Sequence, residues 1–297
     1  VKIIRDFLII TRAWSFNITF ICVTLGMVLA GRQRKISLPL YGATLLGAIL
    51  IQAAANTLND YFDFIHKVDT PQAPTALYRP HPIFTRLLTP QKPLKLSLAL
   101  FTTAAVLGIT LTLFASSWLG FLLPSGLILA VFYTATPKAL KYRALGEATV
   151  FLCFGPLLTE GAYSIQRGTL SLEVLLISLP VGFGVALILL ANNLRDRAFD
   201  AQSGIQTLAT LLQQKDVLKL NFFLSLLPYA LVLFYVLKGI LPPISGLVFC
   251  ALPFSVRLTK SFFQRVPVNA DTQQSQATFL FGLLLILSLI TPSCIKS

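Results

Sequence analysis

Charge is scarce in this chain. Asp, Glu, Lys and Arg make up only 12% of its 297 residues, against about 25% in a typical soluble domain. Set beside 55% hydrophobic residues and a mean hydropathy of +0.77, that shortage excludes a water-soluble globule and points to an integral membrane protein. The chain also lacks any clustered cysteine pattern. Its four cysteines (Cys22, Cys153, Cys250, Cys294) are scattered through apolar segments without metal-ligand spacing, and they read as small buried residues. No long basic run accompanies the net charge of +13, so the clustered face that nucleic-acid binding needs is missing. A cleavable signal peptide is not evident either: the first apolar segment has the length of a span and no clear small-residue cleavage site.

Apolar runs are what the chain has in plenty. Windows of about 20 apolar residues predict nine membrane helices, near residues 14–30, 38–58, 94–115, 117–134, 146–165, 172–191, 217–237, 241–256 and 277–293. The eighth is short and opens with Pro242-Pro243. The expected fold is therefore all-α: a polytopic bundle of about nine transmembrane helices around a central cavity, in one domain over 1–297. Paired motifs suggest a pseudo-repeat of roughly 1–145 and 146–297. With the N-terminus inside, the cytoplasmic segments carry 18 of the 24 lysines and arginines, as positive charge prefers. The Arg32-Gln33-Arg34-Lys35 loop dissents. This topology sends the loops after helices 2, 4, 6 and 8 to the cytoplasm, and an odd span count would leave the C-terminus outside.

Five of the eleven acidic residues fall in two polar stretches that end apolar runs. The first runs Asn56, Asn59, Asp60, Asp63 and on to Asp69; the second runs Asn192, Asn193, Arg195, Asp196, Arg197 and Asp200. A carboxylate near a membrane helix centre costs on the order of 2.5–3.5 kcal/mol, so grouping them calls for a compensating cation. Asn56/Asp60 and Asn192/Asp196 repeat one spacing, and residues three and four apart share a helix face. Each stretch can thus aim two carboxylates and an amide into one cavity. Mg²⁺ is the fitting cation, because it takes one or two carboxylates and binds substrate phosphates as well. Lys67, Arg79, Arg86, Lys138, Lys141, Tyr142 and Arg143, on the same predicted face, supply what a diphosphate would need. His66 and His81 are left out of the metal site.

At these residues the chain resembles the UbiA-type superfamily of intramembrane aromatic prenyltransferases, and within it the branch that prenylates 1,4-dihydroxy-2-naphthoate for menaquinone. Thr11-Arg12-Ala13-Trp14-Ser15-Phe16 is similar to the entry to helix 1, and Asn59-Asp60 through Asp69-Thr70 to the first aspartate motif. Tyr133-Thr134 through Pro137 and Leu140-Lys141-Tyr142 through Gly146-Glu147 resemble loop 4–5. Phe154-Gly155-Pro156 follows, and Asn192-Asn193 through Asp196, Asp200, Gly204 and Thr207-Leu208 resembles the second motif. The resemblance covers most of the chain.

This likeness implies a cavity open to cytoplasm and lipid, a bacterial cell (inner) membrane location, and polyprenyl diphosphate and an aromatic acceptor as partners. It implies Mg²⁺ held by Asp60, Asp63, Asp196 and Asp200, with Asp69 also catalytic. Asn56, Asn59, Arg79, Lys141, Tyr142, Asn192 and Arg195 would then bind diphosphate or shape its pocket. Other acceptors such as 4-hydroxybenzoate, and an ion-coupled transporter, are the alternatives. The chain departs from the family pattern at Lys67, where glycine is common, and at Ile205-Gln206, where a lysine is common. Lys67 is expected to replace the charge missing at 205.

Overall fold

The computed structural model describes residues 2–68, 70–135 and 139–290; Asp69, Lys138 and everything from 291 onward lie outside the described residues. Within them the chain is helical. In order come α1 (Lys2–Ile10), α2 (Phe16–Gly31), α3 (Leu38–Ile65), α4 (Pro74–Tyr78), α5 (Lys92–Phe114), α6 (Leu119–Thr134) and α7 (Gly146–Leu152). Then follow α8 (Leu158–Arg167), α9 (Leu172–Gln202), α10 (Leu208–Leu211), α11 (Gln214–Leu237), α12 (Leu252–Phe262) and α13 (Ala270–Ile290).

Among the described residues seven helical segments are long and apolar enough to cross a membrane: α2 with its preceding turn, α3, α5, α7 running into α8, α9, α11 and α13. Two of the nine expected spans take another form. The segment predicted at 117–134 yields α6, of 16 residues. The segment predicted at 241–256 is a 3-10 helix over Pro243–Ala251 that passes into α12. Pro242 and Pro243 carry no backbone N–H, and Pro253 falls in the first turn of α12, so an unbroken α-helix cannot form through them.

Helix length is what positions the polar stretches. α3 has 28 residues and α9 has 31, or about 42 and 46 Å at 1.5 Å per residue. A hydrocarbon core is about 30 Å thick, so both helices have turns to spare, and Asn56–Asp63 and Asn192–Asp200 occupy their C-terminal turns. Neither stretch holds a glycine or proline, and the helices run on through them to Ile65 and Gln202 instead of stopping near 58 and 191. Both begin at a serine cap, Ser37 accepting from Leu40 N and Ser171 from Val174 N, each at 3.4 Å. Such a cap supplies an acceptor to an otherwise unpaired first-turn amide.

Small residues set the packing. The core between α2, α9, α11 and α13 includes Ile21, Leu25, Ile177, Val181, Val232 and Leu285, all fully buried. Gly26 on α2 lets the α8 backbone come so close that a Cβ there would sit 2.4 Å from the Thr159 carbonyl oxygen. Between α7 and α8 the chain makes a π turn over Cys153–Leu157, with Pro156 inside it. The wide turn accommodates a residue that has no N–H and would clash in a regular helix. Gly155 there packs on Gly182 of α9, a Cβ lying only 2.9 Å from the Gly182 Cα. Hydroxyls on outward faces turn back to their own helix: Thr102, Thr103, Thr110 and Ser125 each donate to the carbonyl four residues earlier, which satisfies them without water.

Candidate active site

The last turns of α3 form the first half of the site. Asp60 is completely buried, and its carboxylate is ion-paired with Arg12. Arg12 lies between α1 and α2 with φ +55°, a left-handed conformation in which the chain turns between the two helices. Asp63 is bonded by the Lys141 ammonium and the Tyr142 hydroxyl, and Asn59 Nδ2 donates to it at 2.8 Å. Lys141 donates to Asn59 as well. Asn56 turns aside from Asp60: its Nδ2 donates to the Thr11 carbonyl at 2.9 Å and to Ser15 Oγ at 3.3 Å.

The last turns of α9 form the second half. Asp196 accepts from Arg195 Nε at 2.7 Å, from Asn192 Nδ2 at 3.3 Å and from Thr75 Oγ1 at 3.2 Å. The Arg195 side chain is 4% exposed. It also donates to Asn192 Oδ1 at 2.8 Å, to Tyr78 Oη at 3.2 Å and to Asp271 Oδ1 at 3.1 Å. Arg79 pairs with the other oxygen of Asp271, and Tyr78 donates to Asp271 Oδ1 at 2.6 Å. Burial is the main influence holding the Tyr78 hydroxyl above its ordinary range, with Arg79 opposing and Asp271 adding; it is a neutral donor. Asp200, one turn beyond Asp196, is buried.

Two links join the halves. The segment 139–147 gives Lys141 and Tyr142 to the first, while Glu147 Oε1 accepts from Asn193 Nδ2 at 2.9 Å and Ala144 N donates to the Gln206 carbonyl at 3.0 Å. On the other side the Arg79 guanidinium lies 4.9 Å from the Tyr78 ring centre and 5.9 Å from that of Trp14, two residues after Arg12. The Asn-x-x-x-Asp spacing is bonded as Asn59 to Asp63 and Asn192 to Asp196, so the repeat is real but falls on Asn59, not Asn56.

Of the compensating charge expected from a divalent cation, much is already supplied by Arg12, Lys141 and Arg195. Among the described residues no three His, Cys, Asp or Glu side chains form one group able to hold a metal. The donor set nevertheless fits Mg²⁺, which needs only one or two carboxylates when phosphate oxygens complete its shell. Lys67 is exposed at the end of α3 with φ +57°, a conformation glycine adopts freely, and Ile205 is buried. His81 stacks on Phe84 at 4.3 Å, a packing position. Sequence reasoning passed over Thr75, Tyr78 and Asp271 and took Arg12 only as part of a helix entry. The available signal was a carboxylate, Asp271, at the head of the last apolar run.

A cavity of about 370 Å³ leads away from the first half-site. Arg12, Asn56, Asn59 and Tyr133 line it together with Leu111, Leu122, Ala162 and Ile165. Along α3 its lining runs from Thr44 to Asn59, about 22 Å of helix at 1.5 Å per residue. A charged mouth on a long apolar chamber suits an amphiphile with an anionic head.

Comparison with known proteins agrees with that description. Residues 19–285 match the UbiA prenyltransferase family. The chain is 30% identical over 285 residues to 1,4-dihydroxy-2-naphthoate octaprenyltransferase of Bacillus subtilis (strain 168), covering 95% of this chain and 91% of that one. It is 29% identical over 284 residues to UbiA prenyltransferase domain-containing protein 1 of Danio rerio, covering 94% and 82%. In fold it is similar to a UbiA homologue from Archaeoglobus fulgidus bound to DMAPP and Mg²⁺, with a TM-score of 0.64, 15% identity, and 95% and 99% of the two chains covered. A chain whose described residues are helical, with seven membrane-length helices among them, two aspartate-bearing helix ends and a family match over nearly its whole length, is an integral membrane prenyltransferase, and it belongs to the UbiA prenyltransferase family.

Proposed function

We propose that this chain transfers a polyprenyl group from polyprenyl diphosphate to 1,4-dihydroxy-2-naphthoate, with loss of the ring carboxylate as carbon dioxide, giving the prenylated 1,4-naphthalenediol that is the reduced form of demethylmenaquinone. The observation that carries the reading is the pairing of the two aspartate-bearing helix ends with the cavity that begins at Asn59 and Arg12. The acceptor rests on the 30% identity to the Bacillus subtilis enzyme.

In this reading the diphosphate head lies between the ends of α3 and α9. Asp60, Asp63, Asp196 and Asp200 would hold Mg²⁺, as the DMAPP- and Mg²⁺-bound homologue encourages; bound there, the ion neutralises charge on the leaving diphosphate. Asp69 is kept as a supporting carboxylate. Lys141, Tyr142, Arg79 and Arg195 contact phosphate oxygens; Asn59 and Asn192 orient Lys141 and Arg195, and Asn56 holds the Thr11–Ser15 turn that carries Arg12. The isoprenoid tail fills the apolar cavity, and the dry walls exclude water from the allylic cation. As the allylic carbon–oxygen bond breaks, its electron pair leaves with the diphosphate. The Tyr133 ring face at the cavity head stabilises the cation until the electron-rich acceptor ring forms the carbon–carbon bond. Preorganised donors of this kind stabilise charge as it develops.

The chain acts as one transmembrane domain of about nine crossings around a central cavity, with its N-terminus and active-site loops cytoplasmic in a bacterial cell membrane. The test is prenyl transfer in membranes carrying the protein, with Mg²⁺, a polyprenyl diphosphate and 1,4-dihydroxy-2-naphthoate. Product that requires Mg²⁺ and is lost in both Asp60→Ala and Asp196→Ala supports the reading. Turnover of 4-hydroxybenzoate but not of the naphthoate would replace the acceptor, and silence with every aromatic acceptor from folded protein would overturn it.

A further inference from the structure

Asp271 stands at the head of α13, outside both aspartate-bearing stretches, yet it is the residue on which the second half-site converges. It is buried, and three side chains from two other elements meet it: Tyr78 and Arg79 from α4 and the residue after it, and Arg195 from α9. Thr75, also on α4, bonds Asp196. The short α4 helix is thus strapped across the end of α9, and Asp271 is the anion that fastens it. A second observation points outward from this network. Arg79 pairs with Asp271 through one Nη, and its Nε–H is buried with no acceptor among the described residues. An unmet guanidinium donor inside a buried charge network is the group to which an incoming phosphate oxygen is complementary.

We propose that Asp271 is a positioning residue for diphosphate binding: it holds Arg79 and Arg195 in place beside the second aspartate stretch and docks α4 over it. The proposal rests on the functional reading above, and it adds a residue from a third helix that neither stretch contains. Asp271 takes no part in the bond changes. Its effect falls on the prenyl diphosphate and not on the aromatic acceptor.

The experiment compares full-length wild type with Asp271→Asn, Asp271→Ala and Asp271→Glu. It reads KM for each substrate, binding of geranyl diphosphate with Mg²⁺, and amide hydrogen exchange over residues 70–90 without ligand or metal. We expect Asp271→Asn and Asp271→Ala to raise KM for the prenyl diphosphate at least tenfold and to leave KM for the acceptor within twofold. Exchange in the strap should quicken at least tenfold, and Asp271→Glu should recover most of both effects. Unchanged exchange together with unchanged diphosphate affinity would overturn the proposal, as would equal KM changes for both substrates in a less stable protein. Should wild type prove inactive with every acceptor, the functional reading fails by itself, while exchange and geranyl diphosphate binding still decide the role of Asp271.

Discussion

Asn193 Nδ2 donates a 2.9 Å hydrogen bond to Glu147 Oε1, and both residues are buried. The bond ties the second aspartate stretch to the segment whose Lys141 and Tyr142 hold Asp63 of the first. Removing one partner of a buried hydrogen bond costs about 1–3 kcal/mol, because the other is left unsatisfied. Glu147→Ala and Asn193→Ala are therefore each expected to destabilise by that amount and to reduce prenyl transfer at least tenfold, with the double variant little worse than either single one. Glu147→Gln keeps an acceptor for Asn193 and should stay within about threefold of wild type. Thermal unfolding and turnover measured on these four variants and wild type check this; additive losses would show the two residues acting separately.

Lys67 closes α3 with φ +57°, where a side chain costs about 1–2 kcal/mol that glycine does not incur. Glycine gives back part of that gain through its freer unfolded chain. Lys67→Gly should raise stability by about 0.5–1 kcal/mol. The same variant tests whether this lysine replaces the charge that the chain lacks at Ile205. A more stable protein with unchanged KM for the prenyl diphosphate would make Lys67 a feature of the turn and nothing more.

Gly26 and Gly42 form a matched pair for packing. A Cβ at Gly26 would lie 2.4 Å from a backbone oxygen of α8, whereas one at Gly42 meets nothing within 4 Å. Gly26→Ala must push α2 from α8 and is expected to lower stability by about 1–3 kcal/mol, the usual range for overpacking. Gly42→Ala should be neutral or stabilising by up to about 1 kcal/mol, the helix-propensity difference. Denaturation midpoints in detergent separate the two.

Tyr78 gives a pH dependence. Its hydroxyl is raised above 10.0 chiefly by burial, so the folded protein keeps a proton that the unfolded chain releases at about pH 10. The unfolded state then binds fewer protons, and stability falls as pH rises. The contribution is fully present below about pH 10 and is lost above it. Unfolding midpoints between pH 8 and pH 11 should show an alkaline loss that Tyr78→Phe diminishes.

Composition determined that this is a membrane protein, because so few charges and such long apolar runs leave no other solvent for it. Local spacing determined that Asn59/Asp63 and Asn192/Asp196 share helix faces, since period and hydrogen-bond reach are properties of one helix. The end of each polar stretch was harder to read. Apolar windows stop at the last apolar residue, whereas α3 and α9 continue until the backbone turns at Lys67 and Gly204. The broken helix at Pro243–Phe262 was foreshadowed by its prolines but not its form. What only the tertiary structure decided is which groups neutralise the carboxylates. Arg12, 48 residues from Asp60, and Asp271, 192 residues from Arg79, meet their partners through the packing of separate helices. No local periodicity encodes such a meeting, so the charge balance of the site belongs to the fold.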